Sequence, residues 1–462
     1  MEFIKSNRGG NKVLYEGYIY VKQKDLADGA VSYECEMRRN DQQCKAKLKV
    51  LGNEVLGRMN EHTHAPNLGR MEATKVKVGV KRRALETEES AQQIISQELS
   101  DISESAAVNL PAIRNIRRNI RRNRQIAGNP LPIPNTRSQL VIPDDYKQTL
   151  RHEQFLLFDS GPDEDRILIF GTQSTLQKLQ ESEAWFCDGT FKVVPSIFYQ
   201  LFTIHGLMHG HVVPCVFALL PNKRQDTYER LFQALRELQD GLSPRSVMID
   251  FELATRNALQ QAFPDVVVKG CFYHLSQSIY RKIQAHGLQE SYSADPDLNI
   301  SVRMIAALSF VPVGSVIAAF EALQKEVPAA LEPVMDYFED NFIGRLQRNR
   351  RKQPTFALDM WNIHDRVEDD LPRTNNNVEG WHRHMQANVG AHHANIFQFM
   401  KILKREQALT ELTLVRINAG ELPAPSKRKY AALTQRLQTL VGDYQNRDML
   451  DFLRGIAHNL QL

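Results

Sequence analysis

Apolar and polar residues alternate through the first 66 positions, as in VLYEGYIYV and CKAKLKVLG. That is the period of short β-strands with two unlike faces, joined by turns. The pattern then changes. Between about 70 and 140 a basic run (KVKVGVKRR), an acidic, serine-containing run (ETEESAQQIISQELSDISES) and NLPAIRNIRRNIRRNRQ follow one another, and the prolines of NPLPIP close the segment. So few apolar residues predict a charged linker with transient helix. From 150 to 275 strand-like runs such as AWFCDGTFKVVP and IFYQLFTIHG come first. An amphipathic helix (TYERLFQALRELQ), a strand (SVMID), a second helix (ATRNALQQAF) and a further strand (VVVKGCFYH) follow. Three early strands without helices between them, then alternation, predict a mixed sheet flanked by helices. Residues 276 to about 350 read as mostly helical, and from Asn376 onward the pattern is helices with polar breaks. There is no internal repeat.

Composition adds boundaries to this picture. The 462 residues allow about three domains, and hydrophobic residues at 42% with aromatics at 8% support a sizeable core. Lys and Arg total 58 against 54 Asp and Glu, a net charge of +4, so the clustering of positive charge matters more than its sum. The longest apolar run, Val212 to Pro221, is too short to span a bilayer. The opening MEFIKSNRGG lacks an apolar h-region, which predicts no secretory leader. Five cysteines in a chain this long make no disulfide framework, and a reducing compartment, cytosol or nucleus, is expected.

Cys35 and Cys44 lie in the strand-rich region, and His62 and His64 follow in EHTHAP. Two thiolates and two imidazoles make a tetrahedral zinc set, and a module this small gains from a structural metal. The plainer alternative is two buried cysteines and an exposed His-x-His. The spacing differs from the common helix-bearing finger. With Phe3, Leu14 and Gly17-Tyr18-Ile19-Tyr20 it resembles the FLYWCH zinc finger, with Tyr33 where that family carries a tryptophan two residues before the first cysteine. The resemblance covers about the first 66 residues and implies binding of DNA or protein.

In NLPAIRNIRRNIRRNRQ the cations Arg114, Arg117, Arg118, Arg121, Arg122 and Arg124 stand together with no acid among them. Ile113, Ile116 and Ile120 fall at helical spacing, which predicts one apolar stripe and a broad basic face. Such a face suits the phosphates of double-stranded DNA. A solvated helix or a nuclear import signal alone would read the same, and a nuclear location fits each case.

Asp188 (FCDGTF) and Asp250 (VMIDFE) close two predicted strands, and Glu379 stands in RTNNNVEGWHRHMQ, where a helix is expected. Two strand-end aspartates and a helical glutamate can converge on two divalent cations, Mg²⁺ or Mn²⁺, which activate a hydroxyl and stabilise the leaving oxygen in phosphoryl transfer. Alone, Asp250 reads more readily as a helix-capping acid, and Glu252 stands close enough to be confused with it. In this order, with FCDGTFKVVP, VMIDFELATRNALQQAFP, GCFYHLSQSIYRK, Trp361-Asn362 and TNNNVEGWH, the acids resemble the core of Mutator-like element (MULE) transposases. The resemblance implies a ribonuclease-H-like α/β fold and makes Cys271 and His274 an active-site support pair rather than a zinc site, since two further ligands are not evident. His205, His209 and His211 read as structural, and His382 and His384 receive no role.

The organisation expected is a zinc finger over 1–68, a charged linker with a DNA-contacting segment over 69–140, a catalytic core over 141–400 with a helical insertion at about 276–355, and a helical region over 401–462. The resemblance implies a transposase that binds element ends, cleaves and joins DNA, and pairs two ends as a homo-oligomer. The alternative is a domesticated DNA-binding protein acting in transcription with the core kept as scaffold.

Overall fold

The alternating N-terminal pattern folds as an antiparallel meander of six strands paired in chain order: β1 (Glu2–Lys5), β2 (Asn11–Tyr15), β3 (Tyr18–Asp25), β4 (Val31–Cys35), β5 (Lys47–Leu51) and β6 (Glu54–Met59). The computed structural model describes every residue except 6–9, 40–41, 88, 129–130, 349, 390–393, 424, 426–427 and 462. It divides the chain into two units, Met1–Pro132 and Ile133–Leu462.

Glu16 and Gly17 both take positive φ, 46° and 82°, as a two-residue hairpin matched to strand twist requires. A side chain at Gly17 would also strike Pro66. The sheet's own core is small, built from Val13, Tyr20, Tyr33, Leu48 and Val50.

The segment expected as a linker is helical: α1 (Leu68–Glu86), α2 (Ala91–Glu98), α3 (Glu104–Val108) and α4 (Ile113–Gly128). Val76, Val80 and Ala84 share a core with Ile94, Ile95, Ile116 and Ile120. Each apolar stripe is narrow and diluted by charge, so mean composition hides it, yet the spacing by four aligns it on one face. Ile113, expected on the stripe, is 55% exposed because it opens α4 ahead of the packed turns. Of the NPLPIP stretch that closes the segment, Asn129 and Pro130 lie outside the described residues.

The second unit is a mixed sheet wrapped by helices. Its strands are β7 (Leu156–Asp159), β8 (Leu168–Phe170), β9 (Ala184–Thr190), β10 (Gln200–Met208), β11 (His211–Leu220), β12 (Ser246–Ile249) and β13 (Val267–Gly270), in spatial order β13-β12-β9-β10-β11-β8-β7. β9, β10 and β11 are antiparallel, whereas β12 runs parallel to β9 and to β13. The parallel strands need crossovers, which helices supply. α5 (Gln173–Glu181) precedes β9, α6 (Gln225–Leu238) joins β11 to β12, and α7 (Leu253–Ala262) joins β12 to β13. Central β9 is buried on both faces through Trp185, Phe186 and Cys187, which explains why its sequence is apolar without alternation.

Beyond the sheet come α8 (Phe272–Ala285), α9 (Gln289–Ala294), α10 (Pro296–Ala307), α11 (Val316–Glu326), α12 (Glu332–Phe338), α13 (Leu358–Trp361) and α14 (His364–Glu368). After them stand α15 (Asn376–Val389), α16 (Ile396–Asn418), α17 (Arg428–Gly442) and α18 (Met449–Ala457). Residues 401–462, set apart in the sequence reading, send Leu437, Phe452 and Ile456 into the same core as Val302 and Phe320. Trp361 and Asn362 anchor this helical mass: the indole N–H donates to Phe342 O at 3.0 Å and the Asn362 amide to Val311 O at 2.7 Å. Among the described residues no helix is long and apolar enough to cross a membrane.

Candidate functional site

Four side chains meet at one end of the N-terminal sheet. β4 delivers Cys35, a short turn brings back Cys44, and the chain after β6 adds His62 and His64. Cys35 Sγ lies 3.3 Å from His64 Nε2, and Cys44 Sγ lies 3.4 Å from His62 Nδ1. All four donor atoms fall within 4.8 Å of one another. Tetrahedral ligands at zinc distances stand about 3.5 Å apart, so the set fits zinc closely.

The remaining imidazole nitrogens are held from behind. With Nδ1 turned to sulfur, His62 Nε2 meets the Tyr20 hydroxyl at 2.8 Å, and His64 Nδ1 donates to Ala65 O at 3.1 Å. Such partners orient metal-ligating imidazoles. Tyr18 stacks on His62 at 3.5 Å, so the Gly17-Tyr18-Ile19-Tyr20 run is the scaffold of the site. Burial pushes the His62 imidazole down to about 4, which leaves it neutral and ready to ligate. Burial pushes the Cys35 thiol up to about 11, so metal uptake must displace its proton.

The arginines of α4 separate into two kinds. Arg114, Arg118, Arg121 and Arg122 are exposed. Arg117 reaches Gln92 Oε1 at 2.7 Å, and Arg124 donates to Ala84 O and Thr87 O, both at 2.9 Å. Those carbonyls end α1, so Arg124 serves as its C-terminal cap.

In the second unit β9 carries Asp188 and β12 leads to Asp250. Met248 pairs with Phe186 in parallel register, and two more residues along each strand bring the aspartates level at the same sheet end. Gly270 permits a close approach here, since a side chain on it would run into the Phe251 ring. Asp250 caps no helix: the N-cap of α7 is Glu252, with no side-chain capping bond. Glu252 is instead engaged by Tyr228 and Thr255, both at 3.0 Å, and by Lys223 at 3.5 Å. That leaves Asp250 as the acid facing Asp188.

Glu379 arrives through three ties between residues far apart in the chain. The Phe272 N–H donates to Arg373 O at 3.1 Å and the Asn375 N–H to Cys271 Sγ at 3.2 Å, while the buried Asn375 side chain donates to Cys187 O at 3.2 Å. Together they clamp the start of α15 between β9 and the turn after β13. The strand expected over VVVKGCFYH stops at Gly270, and His274 sits in the first turn of α8. Its Nδ1 lies 2.7 Å from Asp250 Oδ1 and its Nε2 3.9 Å from Glu379 Oε1.

One turn beyond Glu379, His382 places Nδ1 3.2 Å from Asp188 Oδ2 and Nε2 3.1 Å from Thr203 Oγ1. Thr203 in turn is 3.1 Å from the buried His205. α15 therefore supplies Glu379 and His382 from one face, as i, i+3 spacing dictates. His382 had no role in the sequence pattern; the signal was that spacing. His384 instead lies 3.3 Å from Glu406 on α16. His205 is fully buried and held neutral by that burial, as a structural histidine would be, while His209 and Gly210 form the turn between β10 and β11.

The electrostatics reflect crowded, buried acids. Burial raises the Asp250 carboxyl, which His274 offsets and Asp188 reinforces. Burial likewise raises Glu379, with Asp188 and Asp250 adding to the effect. Burial opposes charge on His274, but Asp250 and Cys271 outweigh it and push the imidazole up to about 11. Glu379 Oε1 is buried without a hydrogen-bond partner, and a buried carboxylate oxygen of that kind is costly unless an ion satisfies it. The acids thus fit hard divalent cations.

The two sites define a class: a DNA-binding protein with a zinc finger and a transposase-type domain. Residues 3–64 match the FLYWCH zinc finger domain and residues 184–278 the MULE transposase domain, in the order expected from the sequence. The second match includes Asp188, Asp250, Cys271 and His274 and stops before Glu379. No curated protein matches the chain.

Proposed function

We propose that the protein is a Mutator-like transposase that binds element ends and performs metal-dependent DNA strand cleavage and transfer on a ribonuclease-H-like core, working in the nucleus as a homo-oligomer on paired ends. The observation that carries this reading is the meeting of Asp188 on β9 and Asp250 just after β12 with Glu379, whose Oε1 is buried without a hydrogen-bond partner. Mg²⁺ or Mn²⁺, when bound, would supply the charge that makes a water or 3′-hydroxyl nucleophilic and eases departure of the leaving oxygen. Asp188, Asp250 and Glu379 would hold that charge at the sheet end. His382, braced by Thr203, keeps the Asp188 carboxylate in one orientation, and the Asn375 clamp keeps Glu379 over the strands.

The test is a search of the DNA on either side of the gene for inverted repeats, followed by a cleavage assay on DNA that carries them. The full chain is expected to nick at the repeat boundary with Mg²⁺ or Mn²⁺ and to stop with EDTA. Binding without cleavage would leave a DNA-binding protein with the sheet as scaffold.

DNA contact divides the arginines further. Replacing Arg114, Arg118, Arg121 and Arg122 with Gln is expected to weaken DNA binding on every sequence and to lower the slope of log K against log salt by about 3–4, roughly 0.9 per phosphate contact. Arg124→Gln should instead leave the slope unchanged and cost about 1–2 kcal/mol of stability, the worth of a lost cap. A slope untouched by the fourfold change would remove these residues from the interface.

A further inference from the structure

The Cys-x-x-His pair beside the acids lacked further ligands in sequence; the fold supplies one. The donor atoms of Cys271, His274 and Glu379 lie within 4.8 Å of one another. We infer that these three side chains form a second zinc site, distinct from the finger and sharing only Glu379 with the acids proposed to bind Mg²⁺.

Three features support a borderline-soft ion here. The donor set is sulfur, nitrogen and oxygen, which suits zinc and not Mg²⁺, whose shell is oxygen. Asp250 touches His274 Nδ1 at 2.7 Å, leaving Nε2 to face Glu379 at 3.9 Å. A carboxylate behind an imidazole is the arrangement that orients a zinc-bound histidine and makes it a better donor. The Asn375 N–H points at Cys271 Sγ, 3.2 Å away, and fixes the position of that sulfur. Glu379 Oε1 meanwhile has no hydrogen-bond partner. Atoms bound to one tetrahedral zinc stand about 3.5 Å apart, so closing this set needs only a small contraction. Three protein ligands leave a fourth position open to water or substrate, unlike the closed set of the finger.

Because Glu379 belongs to both sets, zinc at this site and Mg²⁺ at the acids would compete for it. Metal content settles the assignment apart from the proposed activity, since it is read without DNA or turnover: an inactive chain can carry the second zinc, and an active chain can lack it. The purified full chain, loaded with zinc and desalted, is expected to retain about two equivalents. Cys271→Ala, His274→Gln and Glu379→Gln should each retain about one. A thermal melt of each variant identifies any that fails to fold, and Glu379→Gln, a near-isosteric change, carries the least of that risk. Replacing zinc with Co²⁺ gives a second readout: with the finger ligand Cys44 changed to Ser, Cys271→Ser should remove the sulfur-to-cobalt absorption that remains at this site. One zinc in the unaltered chain, or two in all three variants, would overturn the inference.

Discussion

Asn in place of Asp188 is expected to cut metal-dependent DNA cleavage by about 10³-fold or more while DNA affinity changes little. An amide keeps the shape of the carboxylate but not its charge, and the ions proposed here are held by charge. Asp188 is also the acid with a fixed orientation, since His382 lies 3.2 Å from its Oδ2. His382→Gln should therefore lose activity too, by a smaller factor, because the ligand stays and only its positioning loosens. Asp250→Asn and Glu379→Gln should match Asp188→Asn in activity. Glu379 adds a sign that a purely structural acid would not show. Its folded-state pKa is raised, first by burial and then by the neighbouring aspartates, so its ionisation works against folding in the metal-free chain. Removing that charge should leave the metal-free melting temperature unchanged or higher at neutral pH, where a structural acid would lower it. Cleavage at the unaltered rate in Asp188→Asn, or a falling melting temperature with full activity in Glu379→Gln, would sink the acid assignment.

The sequence showed where chemistry could sit better than how it is assembled. Cys35, Cys44, His62 and His64 lie close in the chain, so their meeting needs only two hairpins, and spacing alone could suggest it. Asp188, expected to close its strand, lies within β9 two residues before its end, and Asp250 follows β12; their level placement follows from parallel pairing of β9 with β12. Glu379 was legible only through resemblance. What brings it in is Asn375, whose backbone reaches Cys271 and whose side chain reaches Cys187 O, and no periodicity signals a tertiary clamp of that kind. The helices over 68–128 were read as transient, in a linker, for a different reason. Their core rests on a few residues spaced by four amid many charges, which a reading of mean composition averages away. Arg124 shows the converse error: a cation counted with the basic face is spent on the carbonyls that end α1.

Cys44→Ser is expected to remove zinc from the finger and to unfold the N-terminal sheet in the full chain, seen as rapid proteolysis within the first 66 residues while the core sheet stays resistant. Among the described residues the strands around the site bury five apolar side chains in their own cluster, too few to offset the chain entropy of so many ordered residues. Structural zinc contributes about 10–16 kcal/mol in comparable small modules, so its loss exceeds what the sheet can replace. Phe3 cannot compensate, since it is itself 41% exposed. Acid should act in the same direction as the mutation. The thiols and imidazoles must be deprotonated to bind, so lowering the pH returns protons to them and weakens zinc retention. Tyr20→Phe offers a graded version: it keeps the ring but removes the hydroxyl that holds His62 Nε2, and should weaken zinc binding about 10–100-fold with the sheet intact at saturating metal. A Cys44→Ser chain that keeps its zinc and resists protease would show that the four side chains do not share one ion.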